Sequence, residues 1–159
     1  MLPKFPVYIV SKGRYDNGLT TRALHEMGVP HFMVVEEDEV ELYKTGRCYG
    51  EILVLPPIYK AEYDLCDKFG FRKSTGPGPA RNFCIDHSIW LGFSHHWVMD
   101  DNIDAFHYLN RNQKFEVRTG ATLKAAEDFV CRYSNVPVSG LNYYSFCKKN
   151  DAVPPYILN

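Results

Sequence analysis

The sequence predicts an α/β domain: a single Rossmann-like unit with a mainly parallel central sheet and helices on both faces. Three observations carry this. Short apolar runs alternate with segments of helical periodicity through the first half of the chain, the pattern of successive βαβ units. A length of 159 residues, 45% of them hydrophobic, suits one domain with a sizeable core. The run Trp97-Val98-Met99 passes directly into Asp100-Asp101-Asn102, as a buried strand does on reaching a polar edge.

Val7-Tyr8-Ile9-Val10 is the first strand, followed by the polar loop Ser11-Lys12-Gly13-Arg14. Thr20 to Met27 has helical spacing; Gly28 stops it and Pro30 lies just beyond. His31 to Val35 is the second strand. It runs into Glu36-Glu37-Asp38-Glu39, and Val40 to Lys44 continues as a short helix. Glu51 to Leu55 is the third strand, closed by Pro56-Pro57. The turn-rich loop Ser74-Thr75-Gly76-Pro77-Gly78-Pro79 then opens a helix from Ala80 to Leu91, which Gly92 stops. His95 to Met99 is the fourth strand. Thr122 to Tyr133 reads as a helix, with Thr122 as its cap and a stripe of Leu123, Ala126, Phe129 and Val130. Val136 to Phe146 reads as a strand with a turn near Gly140. Val153 to Asn159 begins another element without an obvious closing helix. A C-terminally truncated piece, a proteolytic core and a naturally minimal domain are all compatible with that ending.

Composition excludes several classes of function. Net charge is -1, so there is no global basic footprint for tight non-specific DNA binding. An enzyme that handles a nucleotide, or meets DNA through one small patch, stays open. The five cysteines are odd in number, widely spaced and free of any CxxC, which argues against a disulfide framework and a zinc site. Reduced thiols in a cytoplasmic protein are the expectation. The N-terminus lacks the apolar stretch of a signal peptide, and no run is long enough for a membrane span. The aromatic share, 14%, fills a core or lines a groove where rings stack.

Three features converge on one edge of the expected sheet. In open α/β sheets the loop after the first strand sits in the ligand crevice. There Gly13 permits a backbone turn, and Lys12 and Arg14 suit phosphate oxygens, Arg in bidentate fashion. The loop is neither a Walker A nor a GxGxxG sequence, and an ordinary basic turn is the alternative. In the second feature, Gly76 to Asn82, a Gly/Pro loop opens a helix and leaves N–H groups ready for an anion. Arg81 in that first turn opposes the helix dipole, so it calls for a ligand or a buried carboxylate as partner, with Asp100 and Asp101 the natural candidates. In the third, Asp100-Asp101-Asn102 offers oxygen donors of the kind a hard divalent cation takes. A plain Asp-Asp-Asn turn is the alternative. Glu36 or Glu37 is placed to bond a ribose hydroxyl. His95 and His96 point to opposite strand faces and are read as structural, and Tyr143 and Tyr144 as packing residues.

In this order the motifs resemble a glycosyltransferase of the GT-A type. Asp100-Asp101-Asn102 resembles its DxD-like metal motif, and Ala80-Arg81-Asn82 resembles an "ARN" segment found in several such transferases. Val10-Ser11-Lys12-Gly13-Arg14 is similar to the "S-x-G-R" of a narrower group, the phage TET-associated glycosyltransferases. Those are thought to glycosylate hydroxymethylated pyrimidines in DNA. The likeness runs from about residue 5 to about residue 145.

The resemblance implies one nucleotide-sugar-binding GT-A-like domain over 1–159, its acceptor-binding part short or missing. It implies a nucleotide-sugar donor, most naturally a UDP-sugar, and a hydroxyl acceptor such as a modified pyrimidine in phage DNA, met in the host-cell cytoplasm. The donor would meet Ser11, Lys12, Gly13, Arg14, Glu36, Glu37, Gly78, Arg81, Asn82 and Asp100. Mn2+ or Mg2+ would be held by Asp101 with Asp100 and Asn102. A strict DxD has an acid where Asn102 stands, which makes Asp101 the principal ligand or metal dependence weak. No motif identifies a catalytic base; Asp151 is a candidate only by position. A nucleotidyltransferase and a non-catalytic nucleotide-binding module are the rival readings.

Overall fold

A computed structural model describes residues 1–64, 76–111 and 113–147. Its centre is a four-stranded, all-parallel sheet of β1 (Val7–Val10), β2 (Phe32–Val35), β3 (Glu51–Val54) and β4 (Trp97–Asp100), in the order β3-β2-β1-β4. Between β1 and β2 runs α1 (Leu19–Glu26). A 3-10 turn over Glu37–Glu39 and α2 (Val40–Thr45) lead to β3. Next come α3 (Pro57–Ala61) and α4 (Gly78–Trp90), which precede β4. An antiparallel hairpin of β5 (His107–Asn110) and β6 (Gln113–Glu116) is followed by α5 (Ala121–Val130).

Strand pleating sorts the core into two layers, because successive side chains leave opposite faces. Val7, Ile9, Met33, Val35 and Met99 face Ala23 and Leu24 of α1, Tyr43 of α2 and Leu123 of α5. Tyr8, Val10 and Val34 face Cys84 of α4, with Phe83 and Tyr59 packed alongside. The expected helices on both faces are therefore present. Their sides follow from chain direction. The path steps outward from β1 to β3 and then returns across β1 to β4. A right-handed crossover in the reversed direction lands on the other face, where α4 lies.

Four expectations about elements change. Pro56-Pro57 does not simply end β3: Pro57 opens α3 from its first turn, where a missing N–H costs nothing. Gly78, expected in a loop, is the first residue of α4. Residues 107–110 and 113–116, unassigned in the sequence, form the hairpin strands. Val136 to Phe146 is not a strand but irregular chain with a turn near Tyr144; Pro137 removes a ladder donor and Gly140 weakens a strand interior. The element expected from Val153 to Asn159, and Asp151 with it, lies outside the described residues. Among the described residues no helix is long and apolar enough to cross a membrane.

Candidate functional site

The site follows from the strand order. The chain reverses direction between β1 and β4, and ligands of open α/β sheets bind in the crevice at the carboxyl ends of the strands flanking such a switch. Register pairs Val10 with Asp100, so Ser11 and Asp101 step off adjacent strands side by side. The Ser11 hydroxyl donates to Asp101 Oδ2 at 2.6 Å, bridging the switch point.

Adjacent acids at a strand end diverge, and the two carboxylates find different partners. Asp100 leans to the α4 side, where Arg81 Nη2 donates to its Oδ1 at 2.9 Å. Asp101 leans to the α2 side, where Arg14 Nη1 donates to its Oδ1 at 2.8 Å. The backbone that carries both is pinned from below by Thr20, buried in the first turn of α1. Its hydroxyl donates to the Asp100 carbonyl at 2.7 Å and accepts the Ile103 N–H at 2.8 Å. Asp101 and Asn102 do form the turn that the bland reading of the sequence allowed. That turn is what presents the acids to the crevice.

The crevice has a volume of about 370 Å3, and its lining includes Ser11, Lys12, Arg14, Glu36, Pro77, Ala80 and all three residues Asp100, Asp101 and Asn102. At its α4 wall, formed by Pro77, Pro79 and Ala80, helix geometry leaves the Ala80 N–H without an i−4 acceptor, while Gly78 lies outside the lining. Tyr63 crowds Gly78 so closely that an added Cβ would lie 2.1 Å from its hydroxyl. Arg81 reaches the crevice through Asp100, whereas Asn82 is exposed and outside the lining.

Glu36 marks the boundary with a second cavity, lined also by Glu37, Asp38, Leu55 and Lys60. Lys12 and Lys60 each donate to one of its oxygens at 2.7 Å. Burial works to raise the Glu36 pKa, but the two ammonium groups together outweigh it and hold the carboxyl below its ordinary range. Lys12 is in turn raised, chiefly by its bond to Glu36. The Gly13 N–H is taken by the Glu39 carboxylate at 2.9 Å and 3.1 Å, with Gly13 at φ 68°. Gly13 thus shapes the loop, and its N–H is not aimed at the crevice.

Sequence reasoning missed four contributors: Thr20, Glu39, Tyr43 and Lys60. Thr20 and Tyr43 lie on helices from which no site residue was singled out, and Lys60 sits on a helix that was not expected. His95 and His96 precede β4, at the end of the strand away from the crevice. His95 packs on Phe5 and His96 against Tyr8. Tyr143 and Tyr144, expected to pack in the core, are instead exposed, Tyr144 edge-on to His107 and Tyr143 edge-on to Phe146.

The donor set suits a hard cation in type: carboxylate and amide oxygens. Among the described residues no group of three or more His, Cys, Asp or Glu is gathered to enclose one. The chain would thus supply one or two carboxylates and leave the remaining positions to ligand and water, which is how Mg2+ is commonly held beside phosphates.

A four-stranded parallel sheet with helices on both faces and a crevice at its switch point defines a class, that of single Rossmann-like α/β domains. Residues 5–159 match the family model of the TET-Associated Glycosyltransferases, and the chain belongs to that family. Comparison with curated proteins and with solved structures returns no match.

Proposed function

We propose that this chain is a GT-A-type glycosyltransferase whose crevice takes a nucleotide sugar, most naturally a UDP-sugar, by its diphosphate. The observation that carries the reading is the convergence of Arg14, Arg81, Asp100 and Asp101 on one switch-point crevice in a chain of a glycosyltransferase family. The base and ribose would sit over the ends of β1 and β2, near Ser11 and Arg14, with Glu36 or Glu37 toward the ribose hydroxyls. Lys12 and Lys60 fix Glu36 for that role.

Without ligand the site is self-neutralised, each aspartate paired with an arginine. A diphosphate competes for those guanidinium groups, which bind phosphate in bidentate fashion. Releasing Asp101 and Asp100 from Arg14 and Arg81 frees their oxygens for Mn2+ or Mg2+. Asp101, Asp100 and Asn102 would hold such a cation, and it would supply charge stabilisation for a departing diphosphate. Arg81 and the α4 N-terminus then orient the phosphates, and the Thr20 clamp holds the acidic turn still.

For the acceptor we propose a hydroxymethylated pyrimidine in DNA, reached with its base flipped from the stack. The β5–β6 hairpin supports this. Its residues 107–118 carry Arg111, Lys114 and Arg118 against Glu116 alone, in a chain of net charge -1. Tyr108 and Phe115 stack across the strands, rings 5.3 Å apart and both exposed. Exposed rings beside cations suit unpaired bases and their phosphates.

The test incubates the chain with UDP-sugars, Mn2+ and DNA bearing hydroxymethylcytosine or hydroxymethyluracil, then weighs the digested nucleosides. A gain of one sugar mass on the modified base is expected. Nucleotide binding without transfer to DNA would overturn the acceptor; no nucleotide binding would overturn the whole reading.

A further inference from the structure

A buried tyrosine that no motif singles out stands behind Asp101. Tyr43 lies on α2 with its side chain packed in the core at 2% exposure. Its hydroxyl nevertheless reaches the crevice loop, 2.6 Å from Ser11 Oγ. That bond has a direction. An ionised carboxylate only accepts, so Ser11 must spend its proton on Asp101 Oδ2, 2.6 Å away. Ser11 is then the acceptor of the Tyr43 proton. The Tyr43 oxygen in turn accepts the Arg14 backbone N–H at 3.3 Å. The row runs one way: Arg14 N–H to Tyr43, Tyr43 to Ser11, Ser11 to Asp101. Arg14 closes it into a ring, because its guanidinium also donates to Asp101 Oδ1. Bonds aligned in one sense polarise each other, and the row through Ser11 holds the carboxylate even when the Arg14 guanidinium turns away.

We propose that Tyr43 is a positioning residue for Asp101: its hydroxyl orients Ser11, and through Ser11 sets the carboxylate that meets the cation and diphosphate. This rests on the nucleotide-sugar reading of the crevice. Burial raises the Tyr43 pKa, which keeps the phenol protonated and donating at neutral pH. The hydroxyl is not needed for packing, since the ring alone fills the core and meets Tyr15 edge-on at 6.2 Å.

Tyr43→Phe removes the hydroxyl and keeps the ring. Titration calorimetry of UDP with Mn2+ on the full chain, for wild type, Tyr43→Phe, Ser11→Ala and the double variant, reads the role. Each single change should weaken Mn2+-UDP binding about 5- to 10-fold, the worth of one hydrogen bond in a polar network. The double variant should bind no more weakly than the worse single one, because both break the same row. Melting curves check that each variant is folded, and Ser11→Ala, on the half-exposed loop, carries the test should Tyr43→Phe unfold. In that event wild-type binding by Ser11→Ala overturns the role. A folded Tyr43→Phe that binds as wild type does, or single effects that multiply in the double variant, overturns it too. Failure of the wild type itself to bind Mn2+-UDP overturns the reading of the crevice and this role together.

Discussion

Glu127 accepts from three donors and Asp101 from two, and the two carboxylates are held in opposite ways. Glu127, buried on α5, accepts the backbone N–H groups of Lys4 at 2.6 Å and Phe5 at 3.1 Å, and the Trp97 indole N–H at 2.9 Å. Those donors are fixed in the chain and cannot leave without unfolding the N-terminal segment. Asp101 is held by two side chains, Ser11 and Arg14, the latter half exposed. An arginine side chain can swing to a phosphate at little cost; a backbone amide cannot. A carboxylate tied by main chain is a fastener, and one tied by mobile side chains is a site whose ties are exchangeable.

The largest expected effect breaks the fastener. Glu127→Ala strands three donors in the interior and should cost about 3 to 5 kcal/mol of stability, read as a lowered urea midpoint. If the midpoint is unchanged, the contrast with Asp101 fails. Asp101→Ala should do the reverse. Stability should move less, by about 1 kcal/mol, since the half-exposed Arg14 left behind can turn to water. Mn2+-dependent nucleotide-sugar affinity should fall about 100-fold or more, since charge-assisted contacts are worth about 1.5–3 kcal/mol each. Calorimetry showing wild-type affinity would remove Asp101 from the site. Arg81→Ala should weaken the same binding about 10-fold through one lost phosphate contact, with the melting temperature unchanged.

A smaller effect concerns the histidines. Burial lowers the pKa of His31, His87 and His96. His31 is the clearest case: its Nδ1–H donates to the Val29 carbonyl at 2.9 Å, which favours the charged ring, and its burial outweighs that bond. Lowered folded-state values mean that the unfolded chain binds protons first as pH falls. Stability should therefore hold above about pH 6.5, the ordinary histidine value, and decline below it. A melting temperature flat from neutral pH to pH 5 would contradict this. The smallest effect is none: His95→Ala should leave donor binding as in wild type, and a loss of affinity would move the site toward the other end of β4.

Much of this was legible because the sheet writes itself in short apolar runs. Val7–Val10, Phe32–Val35 and Trp97–Asp100 carry both the strands and the alternation that splits the core. The odd placement of Arg81 in a helix's first turn correctly asked for a carboxylate, and Asp100 answers it. The hairpin was not legible, because Arg111 occupies its tip at φ 46°, where glycine or asparagine would have signalled the turn. Tyr43 was hidden by its own ring, which fits a core stripe while its hydroxyl serves the crevice. Lys60 was hidden because Pro57 reads equally as an end and as a beginning.

The central claim is that the switch-point crevice binds a nucleotide sugar with a divalent cation. Its most direct test is the melting temperature of the wild-type chain against a panel of nucleotide sugars, each with and without Mn2+. A ligand at 100 times its dissociation constant adds about 2.7 kcal/mol to the native state. The account predicts a clear upward shift with a UDP-sugar that disappears when the cation is withheld. No shift with any nucleotide, cation present, would contradict it.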